Sequence, residues 1–187
     1  MINPLAIISK IMKNMIFLKF LVRFYIINYN ILPYKGLLKK RNELQDYERM
    51  RWQMSEVYTF GVKSGQHFAM INITREVQNK VKESGIKDGI CVIFVPHTTA
   101  GITINENADP DVVRDFLMEI SKVIPLADGY QHSEGNSAAH IKSSMMGFSQ
   151  TVIIEDGRLL LGTWQGIYFM EFDGPRIRKV HVKIIEG

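Results

Sequence analysis

Ile90–Asn105, ICVIFVPHTTAGITIN, is the stretch on which the reading of this chain turns. Ile90 to Val95 is an unbroken apolar run rich in β-branched side chains, released by Gly89 and stopped by Pro96. Its length suits a strand better than a helix, and a run without polar breaks predicts a strand covered on both faces. After the small, polar turn His97-Thr98-Thr99-Ala100-Gly101 the pattern changes, with Ile102 and Ile104 alternating with Thr103 and Asn105. That period predicts a second strand delivering polar groups to one side.

Toward the N-terminus, Glu56–Phe60 and Gln66–Ile71 are rich in β-branched and aromatic residues and are broken by Gly61 and Ser64-Gly65, which predicts an opening hairpin. Thr74 then reads as the cap of a helix through Val77 and Val81 that ends at Gly85. In the other direction, Asp109-Pro110 marks a capped helix start, and Val113, Phe116, Leu117, Ile120 and Ile124 recur at helical spacing as a core stripe. A third helix is predicted over Ser137–Met146, between Asn136 and Gly147. Asp156-Gly157, between Gln150–Glu155 and Arg158–Leu161, is a type I′ hairpin signal. Phe169–Phe172 and Ile177–Ile185 close the chain around a turn at Asp173-Gly174-Pro175, and Val180, Val182 and Ile184 alternate with Lys179, His181 and Lys183. About eight strands and three helices, joined mostly through hairpins, predict an α+β fold: one small domain around a mostly antiparallel or mixed sheet.

That domain is read over residues 51–187, with 1–50 an N-terminal extension outside the fold. The first 42 residues hold eight Lys/Arg and no acid, whereas residues 43–187 carry 15 basic and 19 acidic side chains. The net charge of +4 therefore describes the extension. Without a basic face in the domain, nucleic acid is not expected as a partner. The extension lacks the roughly 18 uncharged apolar residues of a transmembrane segment. It reads as sequence ahead of a true start at Met50 or Met54, and the protein as cytoplasmic; a genuine transit segment would instead direct it to an organelle. Cys91, the sole cysteine, lies inside the apolar run, so it is expected to be buried and inert.

His67 and His181 fall within strand patterns and read as ordinary residues. His97, His132 and His140 each sit where an apolar element ends, among Thr, Ser, Asn or Glu. Three imidazole nitrogens with an open fourth position suit a catalytic zinc-type site. Spacing alone does not establish one, because His132 and His140 match no short metal motif. Asn105-Glu106-Asn107 reads either as turn and capping chemistry or as polar groups lining a site. Gly162-Thr163-Trp164-Gln165-Gly166 reads either as a tight bend or as a stacking ledge for a ligand.

Taken together, three segments carry more. VPHTTAGITINENADPDVVRDF (95–116), HSEGNSAAHIKSSMMG (132–147) and LGTWQGIYFMEFDGPRIRKV (161–180) resemble the signature segments of the YjbQ-like proteins, often called secondary thiamine-phosphate synthases. The resemblance covers residues 51–187 in order. It implies a compact homotrimer with a small-molecule substrate and a histidine pocket for a divalent metal ion, zinc or magnesium, held by His97, His132 and His140. By the same resemblance Glu106, Thr98, Thr99, Asn105 and Gln165 are catalytic, and Asn136, Gly135, Ser143 and Trp164 bind substrate. The implied reaction joins an aminopyrimidine-methyl diphosphate to a thiazole phosphate and releases pyrophosphate. Few cations lie near these motifs, only Lys142, Arg114 and Arg158. A metal-dependent hydrolase of a small ester, amide or phosphate, and a non-catalytic trimeric binding protein, therefore stand as alternatives.

Overall fold

The structure, a computed structural model, describes residues 56–187, so the expectations for the N-terminal extension lie outside the described residues. It is an α+β domain of eight strands and three helices in two antiparallel sheets. The strands are β1 (Val57–Lys63), β2 (Ala69–Asn72), β3 (Gly89–Phe94), β4 (Ala100–Glu106), β5 (Ser149–Glu155), β6 (Arg158–Leu159), β7 (Gln165–Glu171) and β8 (Ile177–Glu186). The helices are α1 (Thr74–Ser84), α2 (Pro110–Val123) and α3 (Ser137–Met146). One sheet has the order β1-β8-β3-β5-β6 and the other β2-β7-β4. No helix among the described residues is long and apolar enough to cross a membrane.

The sheets face each other across the main core. Cys91, Ile93, Val152, Val180 and Val182 of the larger sheet meet Ile102, Ile167 and Phe169 of the smaller, with Val77 and Val81 of α1 joining them. The other face of the smaller sheet is covered by α2 and α3, where Met70, Tyr168, Met170 and Phe172 pack with Ala139, Val113, Phe116 and Leu117. Being covered on both sides, β7 is buried from Gly166 to Glu171. Its odd-numbered side chains face the larger sheet and its even-numbered ones face the helices, as the pleat requires.

Several expectations need correcting. The opening hairpin does not form: β1 pairs with the C-terminal β8 over its whole length, Val57↔Lys183 to Lys63↔Ile177, and β2 joins β7. Ser64 extends the β1–β8 contact, exchanging bonds with Arg176 through both its amide and its hydroxyl before the chain crosses to the other sheet. Only β5–β6 is a pair of consecutive strands, turning through Asp156 and Gly157, both at positive φ as a type I′ turn demands. Nor is β3 covered on both faces. Cys91 and Ile93 are buried, but Ile90 and Phe94 on its outer side are 37% and 45% exposed.

The helix boundaries hold with one change of detail. Asp109 Oδ1 accepts from the Asp111 amide and Pro110 opens α2, while Gly85 ends α1 at φ 71°. Thr74 is not a cap; it is the first helical residue, and its Oγ1 accepts from the Ile167 amide, tying α1 to β7. The α2 stripe is only half-covered, with no residue of the helix fully buried.

Candidate active site

Both ends of the three-stranded sheet carry side chains that the sequence singles out. At the first end, β3 runs into the turn 97–99 and β4 begins beside α3. Ser143 Oγ donates to Thr98 O, and Gly147 O receives the Ile102 amide, so α3 runs alongside β4. The two backbones approach closely because position 101 is glycine: a Cβ there would lie 2.9 Å from Gly147 O. This alignment leaves the N-terminal half of α3, with Asn136 and His140, pointing away from the far end of β4.

His132 and His140 come together there, with ring centroids 5.4 Å apart and the rings edge to face. Glu134 Oε2 lies 3.8 Å from His132 Nε2, on a largely exposed surface. Between them Gly135 turns at φ 75°, its amide donating to His132 O. Asn136 Nδ2 donates to Asp173 Oδ2, which also takes Arg176 Nη2. Beside His140 an open depression of about 380 Å³ is lined by Ile141, Ser144 and Met145.

His97 is committed elsewhere. Its Nε2 accepts a hydrogen bond from the Lys179 amide at 2.8 Å. A neutral imidazole has one lone pair, and this bond uses it, leaving Nδ1 as the N–H donor. Burial first, then the neighbouring Arg178 guanidinium, hold this histidine below the usual range, against the pull of Glu171. The three-histidine set thus does not fit a metal ion within one chain, and the described residues contain no cluster of three or more His, Cys, Asp or Glu side chains placed to share one. His67 and His181 are also engaged, with Gly174 O and with Thr59 Oγ1.

Behind His97 lies a network that the motif reading did not single out. Arg178 donates through Nε and Nη2 to the Glu171 carboxylate, and through Nη2 also to Thr99 Oγ1. Glu171 further accepts from Ser64 Oγ and from the Asp173 amide. Burial alone would push the Glu171 carboxyl up, but the bonds from Arg178 and Asp173 outweigh it and hold it below the usual carboxylate range. Thr99 is therefore a buried partner of this pair, while Thr98 is exposed. A signal for Arg178 was present, since it shares the parity of Val180, Val182 and Ile184 and so had to point inward.

At the opposite end, Asn105 and Glu106 of β4 lie across from Gly166 and Gln165 of β7. Tyr168 Oη donates to Glu106 O, and the Asn107 amide to Trp164 O. Gln165 Oε1 closes its own bend by accepting from the Gly162 amide. Gly166 leaves room for Asn107 and Asn72, whose amide nitrogens would lie 2.7 and 3.1 Å from an added Cβ. Trp164 is 63% exposed, an open indole at this edge. The seven-residue β4 separates the two ends by about 20 Å. Within one chain, Asn105, Glu106, Gln165 and Trp164 do not meet His132, His140, Asn136 and Ser143.

Cross-links join all three signature segments: Thr98 to Ser143, Asn136 to Asp173, Thr99 to Arg178 and Asn107 to Trp164. The family model described as "UPF0047 protein YjbQ-like" matches residues 58–187. The chain belongs to the UPF0047, YjbQ-like family. UPF0047 protein YugU of Bacillus subtilis is 56% identical over 128 residues, covering 68% of this chain and 97% of that protein. UPF0047 protein MJ1081 of Methanocaldococcus jannaschii is 55% identical, covering 69% of this chain and 94% of that protein. A crystal structure of an uncharacterized conserved protein of the family from Clostridium acetobutylicum is 61% identical and superposes with a TM-score of 0.68, covering 68% of this chain and 99% of that one.

Proposed function

We propose that the protein is a thiamine-phosphate synthase-like transferase, joining an aminopyrimidine-methyl diphosphate to a thiazole phosphate. The thiazole nitrogen attacks the methylene carbon, the carbon–oxygen bond to the diphosphate breaks, and pyrophosphate leaves with the electron pair. The observation that carries this reading is the hydrogen-bonded union of the three signature segments described above. Such a reaction chiefly needs positioning of two partners. The β4–β7 end offers the Trp164 face for an aromatic ring and the Glu106 carboxylate for a ring amine. The α3 end offers His132, His140, Asn136 and the turn at Gly135.

With about 20 Å between the ends, one chain does not supply both to one substrate pair, so this reading requires that neighbouring copies complete each site. The homotrimer belongs to the same proposal, supported by the apolar outer face of the larger sheet, where Ile90, Phe94, Ile153 and Ile185 are exposed. A cytoplasmic location accords with the single buried, unpaired Cys91.

A second reading, hydrolysis of a small ester, amide or phosphate, is favoured by the meeting of His132, Glu134 and His140 beside an open depression. These are residue types that activate water.

Purified protein incubated with both phosphorylated precursors tests the two. Thiamine phosphate forming with pyrophosphate supports the transferase; pyrophosphate or phosphate without thiamine phosphate points to the hydrolase. Mixing equal amounts of Glu106→Gln and His140→Ala subunits, after reversible dissociation, is expected to restore up to about a quarter of the transferase activity over the whole mixture, because some sites then receive both intact halves. Activity that stays at the level of the separate variants sinks the shared site.

A further inference from the structure

Among the described residues, two buried side-chain atoms lack a hydrogen-bond partner, Asn136 Oδ1 and Lys142 Nζ, and both belong to the α3 segment. Lys142 is 0% exposed. Ala139 and Met146, three residues before it and four after, pack in the cluster between the smaller sheet and the helices, which places the lysine on the same inner face of α3. Its ammonium lies 3.9 Å from the centroid of the Phe68 ring. Among the described residues no carboxylate answers it. Glu171 is taken by Arg178, Ser64 and the Asp173 amide, and Asp173 by Asn136 and Arg176. A ring face offsets part of the charge, but an ammonium among apolar side chains remains costly without a counter-ion.

The segments around the two atoms are tied together. Phe68 follows His67, which bonds to Gly174 O, and Gly174 follows Asp173, the acceptor of Asn136 Nδ2. Helical side chains lean toward the N-terminus, so Lys142 extends from α3 in the direction of Asn136. Their demands are opposite in kind: the ammonium needs an anionic acceptor, and the amide oxygen needs a donor. A buried water can meet the hydrogen bonds but not the charge. Inorganic hydrogen phosphate meets both, offering anionic oxygens together with an O–H, whereas a phosphate monoester, with its second pKa about 6, has mostly lost its proton at neutral pH.

We propose that Lys142 and Asn136 form an anion site beneath Phe68 for inorganic hydrogen phosphate. Lys142 Nζ donates to the anionic oxygens and Asn136 Oδ1 accepts the phosphate O–H. Phe68, half-buried in the segment between β1 and β2, is the wall that turns aside to admit it. The site shares Asn136 with the α3 end of the reaction proposed above, yet the two are separable: synthesis of thiamine phosphate can fail while phosphate still binds.

Thermal unfolding at constant ionic strength, with chloride exchanged for inorganic phosphate, glycerol phosphate or sulfate, tests the assignment. Phosphate at ~10-fold above its Kd is expected to raise Tm by about 5 °C. Sulfate, a dianion of the same shape without a proton to donate, is expected to raise it much less. Glycerol phosphate, mostly without its proton at neutral pH, is expected to behave as sulfate does, and an inorganic phosphate rise well above both supports the site. Lys142→Met is expected to abolish the response, and Asn136→Ala to lower the phosphate response to that of sulfate. Equal phosphate and sulfate responses, a Lys142→Met response matching wild type, or no wild-type response overturns the proposal and leaves Lys142 held by the Phe68 ring and water. Should Lys142→Met fail to fold, ³¹P line broadening of phosphate by wild type, set against Asn136→Ala, decides.

Discussion

The Glu171 carboxylate accepts four hydrogen bonds, and its pairing with Arg178 sets the chemistry behind the turn 97–99. Both groups are buried, so the pair is judged by what remains when one partner is lost. Arg178→Met strands a carboxylate among apolar side chains and is expected to cost about 3–5 kcal/mol in urea denaturation. Since Glu171 is held below its usual range, the unfolded chain binds the proton more readily. Stability from this group is therefore full above about pH 4.3 and is lost as pH falls through the folded-state value. Glu171→Gln is expected to flatten this part of the acid unfolding curve; an unchanged slope would assign acid lability to other carboxylates. The same residue scale limits what spacing could say of His97. Its position beside polar groups is plain in PHTTA, but the amide that takes its lone pair belongs to Lys179, 82 residues later.

At the scale of elements, α3 and β4 are set by one close approach. A methyl group at Gly101 would lie 2.9 Å from Gly147 O and 3.0 Å from Met146 Cβ, so α3 must shift outward to admit it. Gly101→Ala is expected to lower stability by ~1–3 kcal/mol. It is also expected to move the ¹H-¹⁵N resonances of His140 and Ser143 more than those of Asn105 and Glu106. Equal disturbance at both ends of β4 would mean that α3 is not the element displaced. Helix ends were legible because their signals are local: Asp109-Pro110, Gly85 and Gly147 act within a turn of their own position. Strand partners were less so. Only the Asp156-Gly157 hairpin carried its pairing in adjacent residues, whereas β1 found β8 across more than a hundred residues.

For the whole molecule, the surface that matters most is the outer face of the larger sheet, which the described residues leave exposed. Ile153, Ile90 and Ile185 stand opposite one another on β5, β3 and β8, forming an apolar row across three strands. Ile153 is 57% exposed and Ile185 44%. An apolar run in β3 predicted two covered faces, and the described residues cover only one, so a second cover is expected from other copies. Ile90→Lys is expected to convert the proposed trimer to monomer in light scattering after size exclusion, with the far-ultraviolet circular dichroism of the fold retained. A wild-type monomer, or an Ile90→Lys assembly of unchanged mass, would remove this face as the interface.

The sequence by itself determined the elements, their class and the family, because hydrophobic period, turn residues and signature strings are properties of neighbouring positions. It also placed the candidate residues in three segments. Only the tertiary structure decided that these segments are cross-linked, that the site residues divide between two ends of one sheet, and that His97 is spoken for while Lys142 is left unpaired. The physical reason is that hydrogen bonds and burial are satisfied by partners distant in the chain. Whether a histidine has a lone pair to offer, or an ammonium has a counter-ion, is settled by what the fold brings beside it.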